Sequence, residues 1–313
     1  MMMSDKGTIS ILMGTYNGEK YIEQQLQSIA DQTYKNWKLI VSDDGSTDQT
    51  CELIEKFAQQ YPDNKVILLT GPGKGFAANF FSLLNRKDID SEFYAFCDQD
   101  DIWIEDKLEV AVNQLTSELD SLNKYRLYGS RTKLIDSNEN SIGFSPCFLK
   151  AFHFKNALLQ SYAGGNTMVF NRELKSIFET LPADLKIVSH DWIMYIVCSA
   201  MNGTVIYDQQ PYILYRQHDQ NLVGSNTGMM SKVTRFNRLF AGEFKSWSKT
   251  NSMALECIKH KMPTENKLDY ERFNALNSGL TNRVANFIIG GFYRQNFIET
   301  CAFFIMNVFR KLV

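Results

Sequence analysis

The fold is decided by one stretch, Phe93-Tyr94-Ala95-Phe96-Cys97-Asp98-Gln99-Asp100-Asp101-Ile102-Trp103. Its first five residues form an unbroken apolar run, and a run without alternation is typical of a strand that is covered on both faces. The run stops at three carboxylates in four positions. We therefore expect a buried strand whose carboxyl end carries a cluster of negative charge.

Two interpretations of Asp98, Asp100 and Asp101 are open. Carboxylates crowded at a buried strand end repel one another, and Mg²⁺ or Mn²⁺ removes that repulsion because Asp oxygens are hard ligands that suit these ions. Both ions also bind phosphate oxygens, and ligands of open α/β sheets bind at the carboxyl ends of the strands. The alternative is that the acids form only the turn and N-cap of a helix that begins near Trp103.

Strands alternate with helices through the first hundred residues. The predicted strands are Thr8–Thr15, Trp37–Ser42, Val66–Leu69 and Phe93–Cys97. The predicted helices between them are Tyr21–Ala30, Gln49–Gln60 and Ala77–Leu84. This alternation predicts an α/β fold, a mostly parallel sheet with helices on both faces. Further strands are expected at Tyr128–Ile135 and Tyr212–Leu214, and Ser189 should open a helix.

Charge is distributed unevenly along the 313 residues. From Lys232 onward there are 13 basic and 6 acidic residues, a net +7, whereas residues 1 to 231 carry a net −9. An acidic body argues against nucleic acid as the main partner, because phosphate backbones are bound by clustered Lys and Arg. The same acidic body needs a cation if it binds a diphosphate.

Composition and the lack of targeting signals limit the class of protein that we expect. A hydrophobic fraction of 44% and a charged fraction of 22% are typical of a globular chain. The six cysteines contain no CxxC pair, so neither a zinc site nor a disulfide framework is indicated, and a reducing compartment is expected. The start lacks signal-peptide features, and no apolar run approaches the ~20 residues of a spanning helix. We expect the cytosol or the cytosolic face of a membrane.

Three motifs, in this order and spacing, resemble those of family 2 glycosyltransferases with the GT-A fold. They are Thr15-Tyr16-Asn17-Gly18, the run from Val41 to Asp48, and Asp98-Gln99-Asp100-Asp101. The resemblance covers about the first 220 residues. It implies a GT-A catalytic domain at 1–224, with a nucleotide-sugar half at about 1–101 and an acceptor half at about 102–224. Residues 225–313 are left as a helical C-terminal region.

The resemblance also assigns residues to the donor. It implies that Tyr16 and Asp44 contact the nucleobase, that Asp98 contacts the ribose or the metal, and that Asp100 is the principal metal ligand. The other donor-binding residues that it implies are Thr15, Asn17, Glu19, Lys74, Asn79 and Gln99. One departure is Ala78, because many members carry an Arg at that position, so its diphosphate contact must be absent or come from elsewhere. The residues alone also allow an alternative interpretation. In it Tyr16 has only a packing role, and Asp44, Ser46 and Asp48 are only turn and cap residues.

Asp191 is the candidate catalytic base. Inverting sugar transfer needs one carboxylate to take the proton of the acceptor hydroxyl, and family members carry an Asp at this place. The alternative is a first-turn Asp that opposes the helix dipole. The acceptor-binding residues assigned with it are Gly164, Gly165, Asn166, His190 and Trp192. Gly164 and Gly165 allow close backbone approach to a sugar, although a plain turn into a strand fits them as well.

Tyr215-Arg216-Gln217-His218 is expected in a loop that follows the last strand. Arg216 offers a two-pronged donor to phosphate, and His218 offers a neutral nitrogen to a metal. Asp219 could orient the His ring, with Asn221 and Gly224 in the same loop. A lone His is more often a packed residue than a ligand. The Tyr-Arg-x-His-x-x-Asn arrangement, however, resembles that of bacterial rhamnosyltransferases.

The C-terminal region is basic and aromatic. Helices are expected within Arg235–Trp247 and Val284–Phe309, both of which mix Phe with Arg and Lys. Such amphipathic helices can lie on a membrane surface that carries anionic lipid, which a lipid-linked acceptor would require. The alternative is a helical pair that packs on the catalytic domain or on a second subunit, giving a homodimer.

The predicted function is therefore inverting transfer of a sugar to a saccharide acceptor in O-antigen, capsule or other surface polysaccharide synthesis. L-rhamnose from dTDP-rhamnose is the donor implied by the resemblance alone. Mg²⁺ or Mn²⁺ is the implied cofactor. The alternatives are another metal-dependent nucleotide enzyme, such as a nucleotidylyltransferase, and a non-catalytic sugar-nucleotide-binding protein.

Overall fold

A computed structural model describes residues 7–62, 64–117, 123–218 and 239–313. Within these ranges the strands are β1 (Ile9–Thr15), β2 (Trp37–Asp43), β3 (Val66–Thr70), β4 (Phe93–Cys97), β5 (Ile102–Trp103), β6 (Arg126–Ser130), β7 (Lys133–Ile135), β8 (Ser141–Phe144), β9 (Val169–Asn171), β10 (Thr204–Asp208) and β11 (Ile213–Arg216). The α-helices are α1 (Ile22–Ala30), α2 (Thr50–Ala58), α3 (Phe76–Asn85), α4 (Lys107–Leu115), α5 (Phe154–Ala157), α6 (Arg172–Phe178), α7 (His190–Ala200), α8 (Phe244–Ile258), α9 (Thr264–Asn274), α10 (Leu280–Gly290) and α11 (Phe297–Val308).

The main sheet has seven strands in the order β10-β6-β9-β4-β1-β2-β3. All of its pairings are parallel except those of β9, which runs antiparallel to both β4 and β6. The α/β prediction with a mostly parallel sheet is confirmed. The order reflects the chain, because β2 and β3 follow β1 outward on one side and β4 pairs with β1 on the other.

Helices cover both faces of this sheet, so side chains that alternate along a strand enter two separate cores. Ile11 and Met13 of β1 pack on one side with Leu26 of α1. Leu12 packs on the other side with Phe80 of α3. Because both faces are covered, all five residues of β4 are buried, as the unbroken apolar run predicts.

A second, four-stranded sheet with the order β5-β11-β7-β8 corrects three sequence predictions. The helix expected near Trp103 begins at Lys107, because Ile102 and Trp103 pair with β11 instead. The single strand expected at Tyr128–Ile135 is two strands, β6 and β7, which belong to different sheets. Arg216 lies in β11 and not in the following loop, because it pairs with Ile135 of β7.

The C-terminal helices pack against the rest of the chain through α7. Trp192 of α7 contacts Phe244 and Trp247 of α8, and Phe244 contacts Phe303 of α11. The helical stretch expected at Val284–Phe309 is two helices, because Gly291 adopts φ +64° and ends α10. The start of the helix expected at Arg235 and the domain boundary at 224 lie outside the described residues, as do Asp219 and Asn221. Within the described ranges, no helix combines the length and the apolarity that crossing a membrane requires.

Candidate active site

The carboxyl ends of β1, β2 and β4 lie side by side, so three loops meet at one edge of the main sheet. Thr15 and Asp43 are register partners, and the Thr15 hydroxyl donates to the Asp43 carboxylate at 2.9 Å. Burial would raise the pKa of Asp43, but hydrogen bonds from Ser46, Thr15 and Gly45 outweigh it and lower that pKa. Asp43 is therefore a charged anchor inside the loop.

Reciprocal hydrogen bonds join the loop after β1 to the loop after β2. The Asn17 amide N–H donates to Ser46 Oγ at 2.8 Å, and the Asn17 side chain accepts from the Thr47 N–H at 2.9 Å. Glu19 repeats the pattern, because its N–H donates to Asp48 and its carboxylate accepts from the Gln49 N–H. Asn17 and Glu19, which the sequence assigns to the donor, are committed here to holding these two loops together.

We call residues 98–101, which follow β4, the carboxylate loop. Gln99 joins this loop to Tyr16. Its side-chain oxygen accepts from the Tyr16 N–H and its amide donates to the Tyr16 carbonyl, both at 2.9 Å. A Cβ at Gly18 would lie 2.4 Å from the same oxygen, so this approach requires glycine. The Tyr16 ring stays 57% exposed above the edge. The bridge therefore presents an aromatic face to solvent, where a nucleobase could stack.

Asp44 organises the glycine loop that follows β3. Its two carboxylate oxygens accept from the N–H groups of Gly73 and Gly75 at 2.7 and 2.6 Å. Both glycines have positive φ, which leaves Lys74 exposed between them. Asn79 instead lies buried with both side-chain polar atoms bonded to Ser42, so it joins α3 to β2. The structure places Asp44 and Lys74 at the edge and Asn79 beneath it.

Three acidic side chains converge beyond β4. Burial and the negative charges of Asp100 and Asp191 raise the pKa of Asp98 to about 7. Asp191 is thus close enough to act on Asp98, although 93 positions separate the two in the chain. His218 Nε2 lies 2.8 Å from Asp100 Oδ2. The structure therefore brings together Asp98, Asp100, His218 and Asp191, which the sequence assigns to metal binding and catalysis.

Asp101 plays a different part from its neighbours. It is almost fully buried, accepting from the Asn166 amide at 2.5 Å and from the Arg216 N–H at 3.2 Å. Burial and the charges of Asp100 and Asp98 raise its pKa well above the usual value. Asp101 thereby connects the carboxylate loop to the Gly164-Gly165-Asn166 turn and to β11. Sequence reasoning missed this link, because its partners lie 65 and 115 positions away.

The Arg216 guanidinium is 1% exposed and packs behind the carboxylate loop. Its Nε donates to the Asp100 carbonyl at 3.1 Å, and another nitrogen donates to Gln24 at 2.5 Å. The group also lies 4.6 Å from the centre of the Tyr21 ring. In this conformation Arg216 fixes the backbone of the carboxylate loop and does not present its side chain at the open edge.

His190 is a buried residue at the start of α7. Its ring stacks on Phe80 with a centroid distance of 3.9 Å, and burial lowers its pKa to about 4, opposed by the Asp191 charge. A Cβ at Gly165 would lie 2.0 Å from His190 Nε2, so only glycine fits against the ring. Asp191 follows in the first turn of α7, partly exposed. Trp192 points away into the core, donating to the Ala157 carbonyl at 2.7 Å.

The donor set is chemically suited to a hard divalent cation. Asp98 and Asp100 supply carboxylate oxygens and His218 supplies an imidazole nitrogen, ligands that Mn²⁺ and Mg²⁺ sites draw on. Burial and the negative charge of Asp100 raise the pKa of Asp98, and a cation bound between the two carboxylates would relieve their repulsion. In the described ranges no group of three or more His, Cys, Asp or Glu side chains already has the arrangement of a metal site.

Comparison with known proteins agrees with this geometry. Residues 10–178 match the family model described as glycosyl transferase family 2. The chain is 34% identical over 237 residues to the dTDP-rhamnosyl transferase RfbG of Shigella flexneri. This match covers 71% of this chain and 77% of that protein.

Two further comparisons agree with the match. The chain is 33% identical over 175 residues to the UDP-Glc:alpha-D-GlcNAc-diphosphoundecaprenol beta-1,3-glucosyltransferase WfgD of Escherichia coli. The match covers 56% of this chain and 64% of that protein. Among solved structures, TarS 1-349 of S. aureus shares the fold with a TM-score of 0.53 at 18% identity, covering 90% of this chain and 88% of that one.

Proposed function

Because the chain belongs to glycosyl transferase family 2 and is a glycosyltransferase with the GT-A fold, we propose that it transfers L-rhamnose from dTDP-rhamnose to a saccharide acceptor. The relative of 34% identity, the dTDP-rhamnosyl transferase RfbG, supports this donor. Family membership decides against nucleotidyl transfer and against a purely binding role. Surface polysaccharide synthesis, as of O-antigen or capsule, is the proposed setting.

The donor is proposed to bind across the edge formed by β1, β2 and β4. The exposed Tyr16 ring offers a stacking face for the base, and Asp44 lies beside it to accept from the base N–H. Asp44 already accepts from the N–H groups of Gly73 and Gly75, so base binding would either share or replace these bonds. Thr15, Asn17, Glu19 and Gln99 support this surface through the loop contacts described above.

Asp98, Asp100 and His218 are the residues proposed to hold Mg²⁺ or Mn²⁺. When bound, the cation supplies positive charge that neutralises the diphosphate leaving group. Asp98 and Asp100 must be ionised to bind it, and His218 must be neutral. The Arg216 bond to the Asp100 carbonyl and the Asn166 bond to Asp101 hold the loop that carries these carboxylates.

Asp191 is proposed to take the proton from the acceptor hydroxyl as its oxygen attacks the anomeric carbon from the face opposite the diphosphate, which inverts the configuration. Its place in the first turn of α7 puts its carboxylate at the positive end of the helix dipole. The Gly164-Gly165-Asn166 turn and His190 border the same space on the acceptor side. The strongest support for the proposal is that burial and the charges of Asp100 and Asp191 raise the pKa of Asp98, which indicates that the proposed base lies near the proposed metal ligands.

The proposed domain arrangement is a catalytic domain of residues 1–224 followed by a helical region of residues 225–313. The enzyme is proposed to work at the cytosolic face of the membrane, where a lipid-linked acceptor is available. The helical region then serves as the part that meets the membrane.

A donor screen tests the proposal. Purified full-length chain is mixed with dTDP-rhamnose, UDP-glucose and other nucleotide sugars, with and without Mn²⁺, and the melting temperature is recorded for each. The true donor should raise the melting temperature through mass action, and release of its nucleoside diphosphate should follow when acceptor is added. A larger shift and faster turnover with another nucleotide sugar would contradict the rhamnose assignment.

A further inference from the structure

The two last helices expose large apolar side chains to solvent. Phe297 and Ile298, at the start of α11, are 73% and 77% exposed, and Ile288 and Ile289, at the end of α10, are 64% and 67% exposed. Cys301 and Ile305 continue the stripe along α11 at helical spacing. We name these six residues, Ile288, Ile289, Phe297, Ile298, Cys301 and Ile305, the hairpin face.

The hairpin face also contains a groove. The groove lies between α10 and α11, has a volume of about 390 Å³, and is lined by Ile288, Cys301 and Ile305 together with three Phe rings. Water inside a groove forms no hydrogen bonds with apolar groups that line it. The face is thus suited to contact with hydrocarbon.

The hairpin is fastened rigidly to the catalytic body at its turn. The Asn156 amide donates to the Tyr293 carbonyl at 3.0 Å, and Arg294 donates to the Leu159 carbonyl at 2.5 Å. The Gln295 N–H donates to the Gln160 side chain at 2.9 Å. The segment that makes these bonds with the hairpin, residues 156–160, leads directly to the Gly164-Gly165-Asn166 turn of the site. The position of the hairpin face is therefore fixed relative to the acceptor side.

Charge distinguishes between possible occupants of the face. Of the four basic side chains in residues 278–313, Arg310 and Lys311 remain accessible just after α11, whereas Arg283 is buried and Arg294 pairs with the single acidic side chain, Glu299, at 2.8 Å. Lys150 adds a further exposed ammonium next to the turn, since its N–H bonds to Gln295. Two copies of the hairpin would both carry this net positive charge, which opposes their association. A surface of anionic lipid headgroups complements both the basic charge and the apolar stripe.

We infer that the hairpin face docks on an anionic lipid bilayer, with Phe297 and Ile298 inserted at the headgroup boundary. The inference deepens the proposed function and rests on it for its purpose, which is to hold the acceptor turn close to a lipid-linked saccharide. The binding itself needs neither donor nor acceptor.

Vesicle co-sedimentation of the full-length chain tests the inference. The bound fraction is measured with vesicles of phosphatidylcholine alone and with vesicles that also contain phosphatidylglycerol, at low and high NaCl. Binding is expected with the anionic vesicles and should weaken as salt rises. The double variant Phe297→Glu/Ile298→Glu should lower the partition coefficient at least about tenfold, because two apolar insertions are lost. Leu268→Glu, at a site of α9 that is 47% exposed, is the matched control and should bind as the parent does.

Three outcomes would overturn the inference. They are no binding of the parent chain to anionic vesicles, equal binding by the double variant, and a dimer in light scattering that the double variant dissociates while vesicles bind neither protein. Donor turnover with a soluble acceptor is measured in parallel. Turnover that persists in the double variant separates a failed membrane inference from a failed glycosyltransferase assignment.

Discussion

Two regions of the molecule are opposite in character. One is the edge of the main sheet that carries Asp98 and Asp100, the carboxylate edge, and the other is the hairpin face. At the edge, ionisable groups are crowded and withdrawn from water, and the pKa of Asp98 rises to about 7 as a result. On the hairpin face, large apolar groups remain in water, with Ile298 77% exposed. Each arrangement is unfavourable for a protein alone in solution. The comparison teaches that each region is built for a partner, which we propose to be a cation with a diphosphate for the edge and lipid for the hairpin.

Among single substitutions, removing the proposed base should have the largest effect on the edge. In Asp191→Asn the carboxylate that accepts the proton is lost, so kcat should fall about 10²- to 10⁴-fold. The dissociation constant of the donor should stay nearly unchanged, since the side chain acts on the acceptor. Steady-state kinetics and calorimetric titration of the donor measure the two quantities. Asp90→Asn, an exposed carboxylate at the far end of β4, is the matched control. Turnover of Asp191→Asn near that of the control would remove Asp191 as the base.

Metal removal tests the partner of the edge without changing the hairpin. EDTA should abolish donor turnover, because the charges of Asp98 and Asp100 and that of the diphosphate are then uncompensated. Added Mn²⁺ or Mg²⁺ should restore it. Vesicle binding by the hairpin face should not respond to EDTA. Undiminished turnover in EDTA would refute the metal proposal.

The Gln99 bridge is expected to have a smaller effect. Gln99→Ala removes two hydrogen bonds to the Tyr16 backbone, and at about 1 kcal/mol for each bond the donor KM should rise roughly tenfold or more. The kcat should change little, because no group acting on the reacting atoms is lost. Gln27→Ala, an exposed residue of α1, is the control. A fall in kcat at unchanged KM would show that Gln99 does not act through Tyr16.

The smallest expected effect is a pH dependence of stability from His190. Its pKa in the folded chain, about 4, lies below the ordinary value of 6.5 because the ring is buried. The unfolded chain therefore binds more protons between these two pH values, and the contribution of His190 to stability is lost as pH falls from about 6.5 towards 4. In His190→Asn this loss should disappear. Urea unfolding at several pH values measures it, and parallel curves for the two proteins would contradict the expectation.

Local patterns predicted the parts of the fold that depend on neighbouring residues. The bounds of β4 matched the apolar run from Phe93 to Cys97, because burial on both faces leaves a direct mark on the sequence. The start of α4 was wrong because Ile102 and Trp103 pair with β11, more than a hundred residues later. The split between β6 and β7 was missed for the same reason, since the two strands join different sheets.

The residues of the site, like the elements of the fold, divide into those that local sequence patterns predicted and those that only tertiary contacts reveal. Asp98 and Asp100 could be proposed from one short motif, and Asp191 from its place at a helix start with help from the resemblance. The supporting contacts could not be foreseen, because Asn166 and Arg216 reach the carboxylate loop, and Gln24 reaches Arg216, only once the chain has folded. Short motifs therefore identify the reacting groups, and tertiary contacts determine how these groups are held.

The most direct test of the account is anomalous diffraction from crystals soaked with Mn²⁺ and dTDP-rhamnose. The account predicts a manganese peak within bonding distance of Asp100 and His218, with the donor diphosphate against it and Asp191 across the anomeric carbon. A site without manganese, with Asp98 and Asp100 turned into solvent and the donor bound elsewhere, would contradict it.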